Sequence, residues 1–149
     1  MATIHLPPDF KEFLKLLNAH QVEYLLIGGY AVGYHGYPRA TVDMDIWIGV
    51  HRANAERIVA VLKEFSFDPP DLSTELFLKE WQIVRLGVPP IQIELVTTVS
   101  GVNFAECYAE RIRDELEGVK VNLISLKHLK INKKASGRYQ DLADLENLP

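Results

Sequence analysis

The chain has one cysteine, Cys107. No internal disulfide can form, and a metal site built on several thiolates is excluded. In an apolar-flanked helical stretch, Cys107 reads as a small buried side chain rather than a nucleophile. No run approaches the ~18 consecutive apolar residues of a membrane span. Met1 to Phe10, with Pro7, Pro8 and Asp9, lacks the basic and apolar regions of a signal peptide. The expected location is the cytoplasm, with no membrane partner. Excess positive charge is missing too, because 16 Lys and Arg against 20 Asp and Glu leave a net −4. That balance argues against bulk electrostatic binding to nucleic acid but leaves room for a local basic groove. Internal repeats and low-complexity tracts are also absent.

What is present suits one domain over residues 1–149, since 149 residues at 48% hydrophobic give a core but not two full domains. Asp9 is the expected N-cap of a first helix carrying Phe10, Phe13, Leu14, Leu16 and Leu17. Val22 to Ile27 reads as a buried strand stopped by Gly28-Gly29, with a short helix from Tyr30 to about His35. Thr41 to Val50 alternates, placing Val42, Met44, Ile46 and Ile48 on one face and Asp43, Asp45 and Trp47 on the other. Asn54 to Phe65 is an amphipathic helix. Trp81 to Leu86 and Ile91 to Val96 read as strands joined through Gly87-Val88-Pro89-Pro90. From about Phe104 to 148 the chain reads as helical, in the stretches Phe104 to Glu110, Leu126 to Lys134 and Gln140 to Leu148. The expected class is α/β (α+β): a small mixed sheet over about 22–101 flanked by helices, with a C-terminal helical segment.

Three features carry chemistry. A strand running into Gly28-Gly29 at a helix start offers backbone N–H groups and a favourable dipole end to a phosphate. Asp43 and Asp45, two apart on one strand, share a face and repel unless a cation or solvent separates them. The apolar residues Ile46, Trp47 and Ile48 follow directly, which points to a hard cation such as Mg2+ between the pair. Glu94 is a further acid in the apolar run Ile91 to Val96. If its strand lies beside the Asp-x-Asp strand, three carboxylates converge, the minimum set for cations holding both sides of a phosphoryl displacement.

With Gly28-Gly29, Asp43-Met44-Asp45 and 13 residues between them, the chain resembles the nucleotidyltransferase superfamily related to DNA polymerase beta. More narrowly, Gly36 to Asp45, Glu94 to Thr97, Ser100-Gly101, Asn132 to Arg138 and Asp141 to Leu145 are similar to the abortive-infection type nucleotidyltransferase toxins and related minimal proteins. The resemblance spans nearly the whole chain. It implies a nucleotidyltransferase fold, with NTP as substrate and Mg2+ or Mn2+ as cofactor. Gly28 and Gly29 would then meet the phosphates, and Asp43 and Asp45 the metal. Arg39 and Thr41 would touch the triphosphate, Lys133 would lie near the nucleotide, and Arg138 with Asp141 would form its partner motif. One departure is Glu94, where the branch more usually has Asp.

The expected reaction is metal-dependent transfer of a nucleoside monophosphate from an NTP to an acceptor hydroxyl on a protein, tRNA or small molecule. Asp43, Asp45 and Glu94 are its catalytic and metal-binding acids. The rival expectation is a degenerate nucleotide-binding or regulatory module, working with a cognate partner protein as in toxin–antitoxin pairs. Lys130, Lys134 and Arg138 are four apart, with Lys133 beside them, and predict one basic helix face. Tyr30 or Tyr34 is a candidate platform for the base. His35, His51 and His128 show no metal-ligand spacing.

Overall fold

The computed structural model describes residues 4–88 and 90–149. Six strands form one mixed sheet in the order β3-β4-β2-β1-β6-β5. β1 (Tyr24–Ile27) runs antiparallel to β2 (Asp43–Ile48), and β2 runs parallel to β4 (Ile91–Val96). β3 (Ile83–Val88) closes one edge as a hairpin with β4. Its connection begins at Pro89, which lies outside the described residues, as do residues 1–3 of the N-terminal segment.

Alternation along the strands sorts their side chains to two faces. Met44, Ile46 and Ile48 of β2 join Ile93 and Leu95 of β4 in the larger core. That core is closed by Phe10, Phe13, Leu14 and Leu17 of α1 (Pro8–Ala19) and by Ile58, Val61 and Leu62 of α3 (Arg52–Glu64). The opposite face carries Trp47, Leu25 and Ile27 against α2 (Gly28–Tyr34), α4 (Phe104–Ala109) and α5 (Leu126–Ser136). α6 (Tyr139–Asn147) packs on α5. Asp43, Asp45 and Glu94 belong to this second face.

Several expectations are corrected. Asp9 lies inside the first turn of α1, whose N-cap is Pro7 with no side-chain cap. Pro8 is set for a helix start, and an acid in the first turn meets the favourable end of the dipole. Residues 112–123, expected within a helical segment, form a hairpin of β5 (Ile112–Leu116) and β6 (Val119–Leu123), and β6 pairs parallel with β1 at Leu26↔Leu123. The turn has φ 49° at Glu117 and 83° at Gly118, which is the primed geometry that joins twisted strands. The basic face breaks as well. α5 ends at Ser136 and Gly137 turns left-handed at φ 67°, so Arg138 opens α6 instead. Tyr30 is buried edge-to-face on Phe10, and Tyr34 donates to Asp114. Neither reaches the cleft as a base platform.

Among the described residues no helix is long and apolar enough to cross a membrane. Cys107 is fully buried, and burial first, then Glu106 and Glu110, push its thiol up to about 11. It is inert in that setting.

Candidate active site

The parallel register of β2 and β4 decides the geometry. Asp45 stands opposite Glu94, and Asp43 opposite Gln92, so the three acids occupy neighbouring positions on one face. β1 delivers the glycine turn to the same place, because Ile27 pairs with Asp45. At Gly28 φ is +66°, and a Cβ there would stand 2.1 Å from Asp45 Oδ2. The site therefore requires glycine on two counts, backbone and space. At Gly29 a Cβ would come within 2.5 Å of Thr41 Oγ1 and 3.4 Å of Arg39 Nη1.

Together these residues line a cleft of about 350 Å3: Gly28, Gly29, Arg39, Thr41, Asp43, Asp45, Glu94, Lys133, Arg138 and Asp141, with Gln140 at its side. The ten residues expected as catalytic, metal-binding or phosphate-binding thus face one space, whereas Tyr30, Tyr34, Lys130 and Lys134 do not line it. A cavity of about 660 Å3 is larger but is lined by Asn18, Arg113, Asp114, Lys120 and neighbours, away from the acids. Convergent chemistry, not size, distinguishes the smaller cleft.

The acids repel as their spacing implies. Asp45 is pushed up to about 7 by burial first, then by a hydrogen bond with Glu94 and the charges of Glu94 and Asp43, against a smaller pull from Lys133. Asp43 is raised by burial and by Glu94, with Arg85 acting the other way. Excess negative charge at this point is what a divalent cation would relieve. Among the described residues no group of three or more His, Cys, Asp or Glu side chains is placed to hold a metal ion, so Asp43, Asp45 and Glu94 do not form the three-acid metal set expected from the sequence. The donor set fits Mg2+ as one or two carboxylates that need substrate oxygens to finish the shell, its usual mode of binding.

One neighbour went unnoticed in the sequence. Arg85 of β3 faces Glu94 across the hairpin and donates from Nε to Glu94 Oε1 at 2.7 Å. Glu94 therefore stands between a carboxyl on one side and a guanidinium on the other. The i to j register of β3 and β4 was the signal, but only a known pairing turns it into a contact.

The cationic wall is equally committed. Lys133 is buried and contacts Asp141 Oδ1 and Asp144 Oδ2 at 3.0 Å each. Arg39 donates to Asp144 at 2.7 and 2.9 Å, and Arg138 to Asp141 at 2.7 Å. Burial alone would raise Asp141, yet hydrogen bonds from Arg138 and Lys133 bring it down to about 2. Asp144 follows the same pattern, with Arg39 and Lys133 overriding burial. Its acid, three residues after Asp141 on one helix face, was legible as spacing, though not as a site residue.

Over residues 8–148 the sequence matches the model of a family described as nucleotidyltransferase of unknown function, DUF6036. No curated protein is significantly similar to it. Among solved structures, a candidate nucleotidyltransferase from Thermotoga maritima has a TM-score of 0.62 at 19% identity, covering 91% of this chain and 87% of that one. An antigenic nucleotidyltransferase-like protein from Paracoccidioides brasiliensis has a TM-score of 0.54 at 20% identity, covering 92% and 72%. At these identities the likeness is one of fold: a six-stranded mixed sheet with flanking helices, arranged as in nucleotidyltransferases.

Proposed function

The chain belongs to the DUF6036 nucleotidyltransferase family, and we propose that it transfers a nucleoside monophosphate from an NTP to an acceptor hydroxyl with the help of Mg2+ or Mn2+. One observation carries this reading: Asp43, Asp45 and Glu94 meet on adjacent parallel strands beside the Gly28-Gly29 turn.

In this reading Asp43 and Asp45 would hold the cation, whose charge would offset that of the phosphates. Gly28 and Gly29 leave room for the phosphates to approach the backbone closely. Glu94 takes the proton that the acceptor hydroxyl loses as its oxygen bonds to the α-phosphorus. The bond to pyrophosphate breaks, and Arg39 and Lys133 face the charge that develops there. The acceptor is a protein, tRNA or small-molecule hydroxyl. The motifs resemble those of the abortive-infection type nucleotidyltransferases, and a place in that branch is part of this proposal.

A second reading is favoured by the Arg85–Glu94 pair: a nucleotide-binding module, working with a cognate protein, whose third acid is neutralised and does no chemistry. Incubation with labelled NTPs, Mg2+ or Mn2+ and each acceptor class separates the two, alongside calorimetry with Mg-ATP. Label transfer that Asp43→Asn abolishes supports the enzyme. Mg-ATP binding without transfer by folded protein refutes it and supports the module.

A further inference from the structure

Asp144 does not line the cleft and is fully buried, yet three residues that do line it converge on its carboxylate. Arg39 donates to it from Nε and Nη2 at 2.7 and 2.9 Å, Gln140 at 2.9 Å, and Lys133 contacts it at 3.0 Å. These side chains come from a loop, from α6 and from α5. The loop matters most. Residues 37–42 form neither helix nor strand, although Arg39 to Asp43 make one side of the cleft.

Few polar contacts hold that loop. Its backbone is tied by Tyr37 N–H to the Val32 carbonyl at 3.1 Å, and Thr41 Oγ1 donates to the Asp43 carbonyl at 3.3 Å. Tyr37 packs on the second core, and the two-pronged Arg39–Asp144 pair ties the middle of the loop to α6. Arg39 Nη1 then lies beside Gly29 and donates to the Ala40 carbonyl at 3.3 Å. A free arginine would lose rotamer freedom on meeting a phosphate, and that cost is removed when the side chain is already fixed.

We propose that Asp144 is a positioning residue for the phosphate-binding wall: it latches the 37–42 loop to α6 and aims Arg39 and Lys133 at a polyphosphate lying over Gly28-Gly29. A carboxylate beneath two cations reduces their attraction for an anion, so what it contributes is geometry rather than charge. Asp141 differs, because it faces the cleft itself. The inference rests on the nucleotide-binding reading given above.

The test uses calorimetry with Mg-tripolyphosphate, which has no base or sugar, and with Mn2+ alone, which reports on the acids. Asp144→Asn is expected to weaken tripolyphosphate roughly tenfold to a hundredfold, the range of a lost charge-assisted contact, and to leave Mn2+ affinity within about twofold. Arg39→Gln is expected to cause a loss of the same order, and the double variant a loss smaller than the product of the two, the remainder being what Asp144 does through Lys133. Tripolyphosphate binding unchanged in Asp144→Asn overturns the proposal, as do losses that multiply or a parallel loss of Mn2+. Should Asp144→Asn not fold, the unliganded wild-type protein decides. Slow exchange of the Arg39 Nε proton in nitrogen-15 NMR supports the latch, and exchange as fast as that of a free arginine overturns it. Wild-type protein that binds neither Mg-tripolyphosphate nor Mg-ATP would instead sink the nucleotide-binding reading as a whole.

Discussion

Replacing Lys133 by Met asks how firmly that amine is locked into the fold by its two carboxylate contacts. The side chain keeps most of its length and loses its charge. Asp141 and Asp144, both buried, then lose a partner at 3.0 Å each. The wild-type partners of Asp141 bring its carboxyl from 3.8 to about 2, a difference worth about 2.5 kcal/mol at 1.36 kcal/mol per unit. Arg138 supplies part of that and survives the substitution. Asp144 also loses its contact, and removing one member of a buried pair typically costs 3–5 kcal/mol. Set against the remaining Arg39, Arg138 and Gln140 contacts, the expected loss is about 3 kcal/mol, or ~6–12 °C in Tm for a chain this size. Because the folded carboxyl lies below its ordinary value, its contribution is complete above about pH 4 and disappears as the pH falls through about 2. Urea denaturation followed by circular dichroism should therefore show the full gap between Lys133→Met and wild type at pH 7, narrowing between about pH 4 and 2. A loss under ~1 kcal/mol at pH 7, or a gap that does not change with pH, would refute the locked amine.

Asp45→Asn removes one of three mutually repelling acids, so at pH 8 without metal its Tm should rise by about 5 °C. The same variant should lose metal-dependent transfer, and a lower Tm would contradict the repulsion. Arg85→Met takes a cation away from Glu94, and calorimetry should show Mn2+ binding about fivefold tighter. Unchanged affinity would mean Arg85 is remote from the cation. Gly28→Ala forces φ of +66° on a residue with a Cβ that strikes Asp45. It should cost more than ~1 kcal/mol in urea denaturation and abolish Mn2+ binding. A stable variant with normal affinity would show that the turn can relax.

The acid face was legible because polar and apolar residues alternate from Asp43 to Ile46, and a strand that is apolar at Met44, Ile46 and Ile48 admits only one way round. Gly28-Gly29 was legible because a glycine pair ending an apolar run limits what can follow. The β5–β6 hairpin was not. Arg113, Asp114 and Glu115 are three consecutive charged residues on an edge strand, and they mask its period, although Val119, Val121 and Leu123 alternate cleanly after Gly118. Such charges suit an edge, where they discourage pairing with other chains. Basic residues were the other gap. Their spacing suggested one open face, whereas Gly137 breaks the helix and Asp141 and Asp144 draw Lys133 inward. Burial of a lysine between two acids depends on how α5 and α6 pack, which helical periodicity does not encode.

Anomalous scattering from Mn2+ in crystals soaked with a nonhydrolysable NTP tests the central claim most directly. The account predicts a peak at bonding distance from carboxylate oxygens of Asp43 and Asp45, with the phosphates lying along Gly28 and Gly29. Metal bound elsewhere, or phosphates seated away from that turn with both aspartates unengaged, would contradict it.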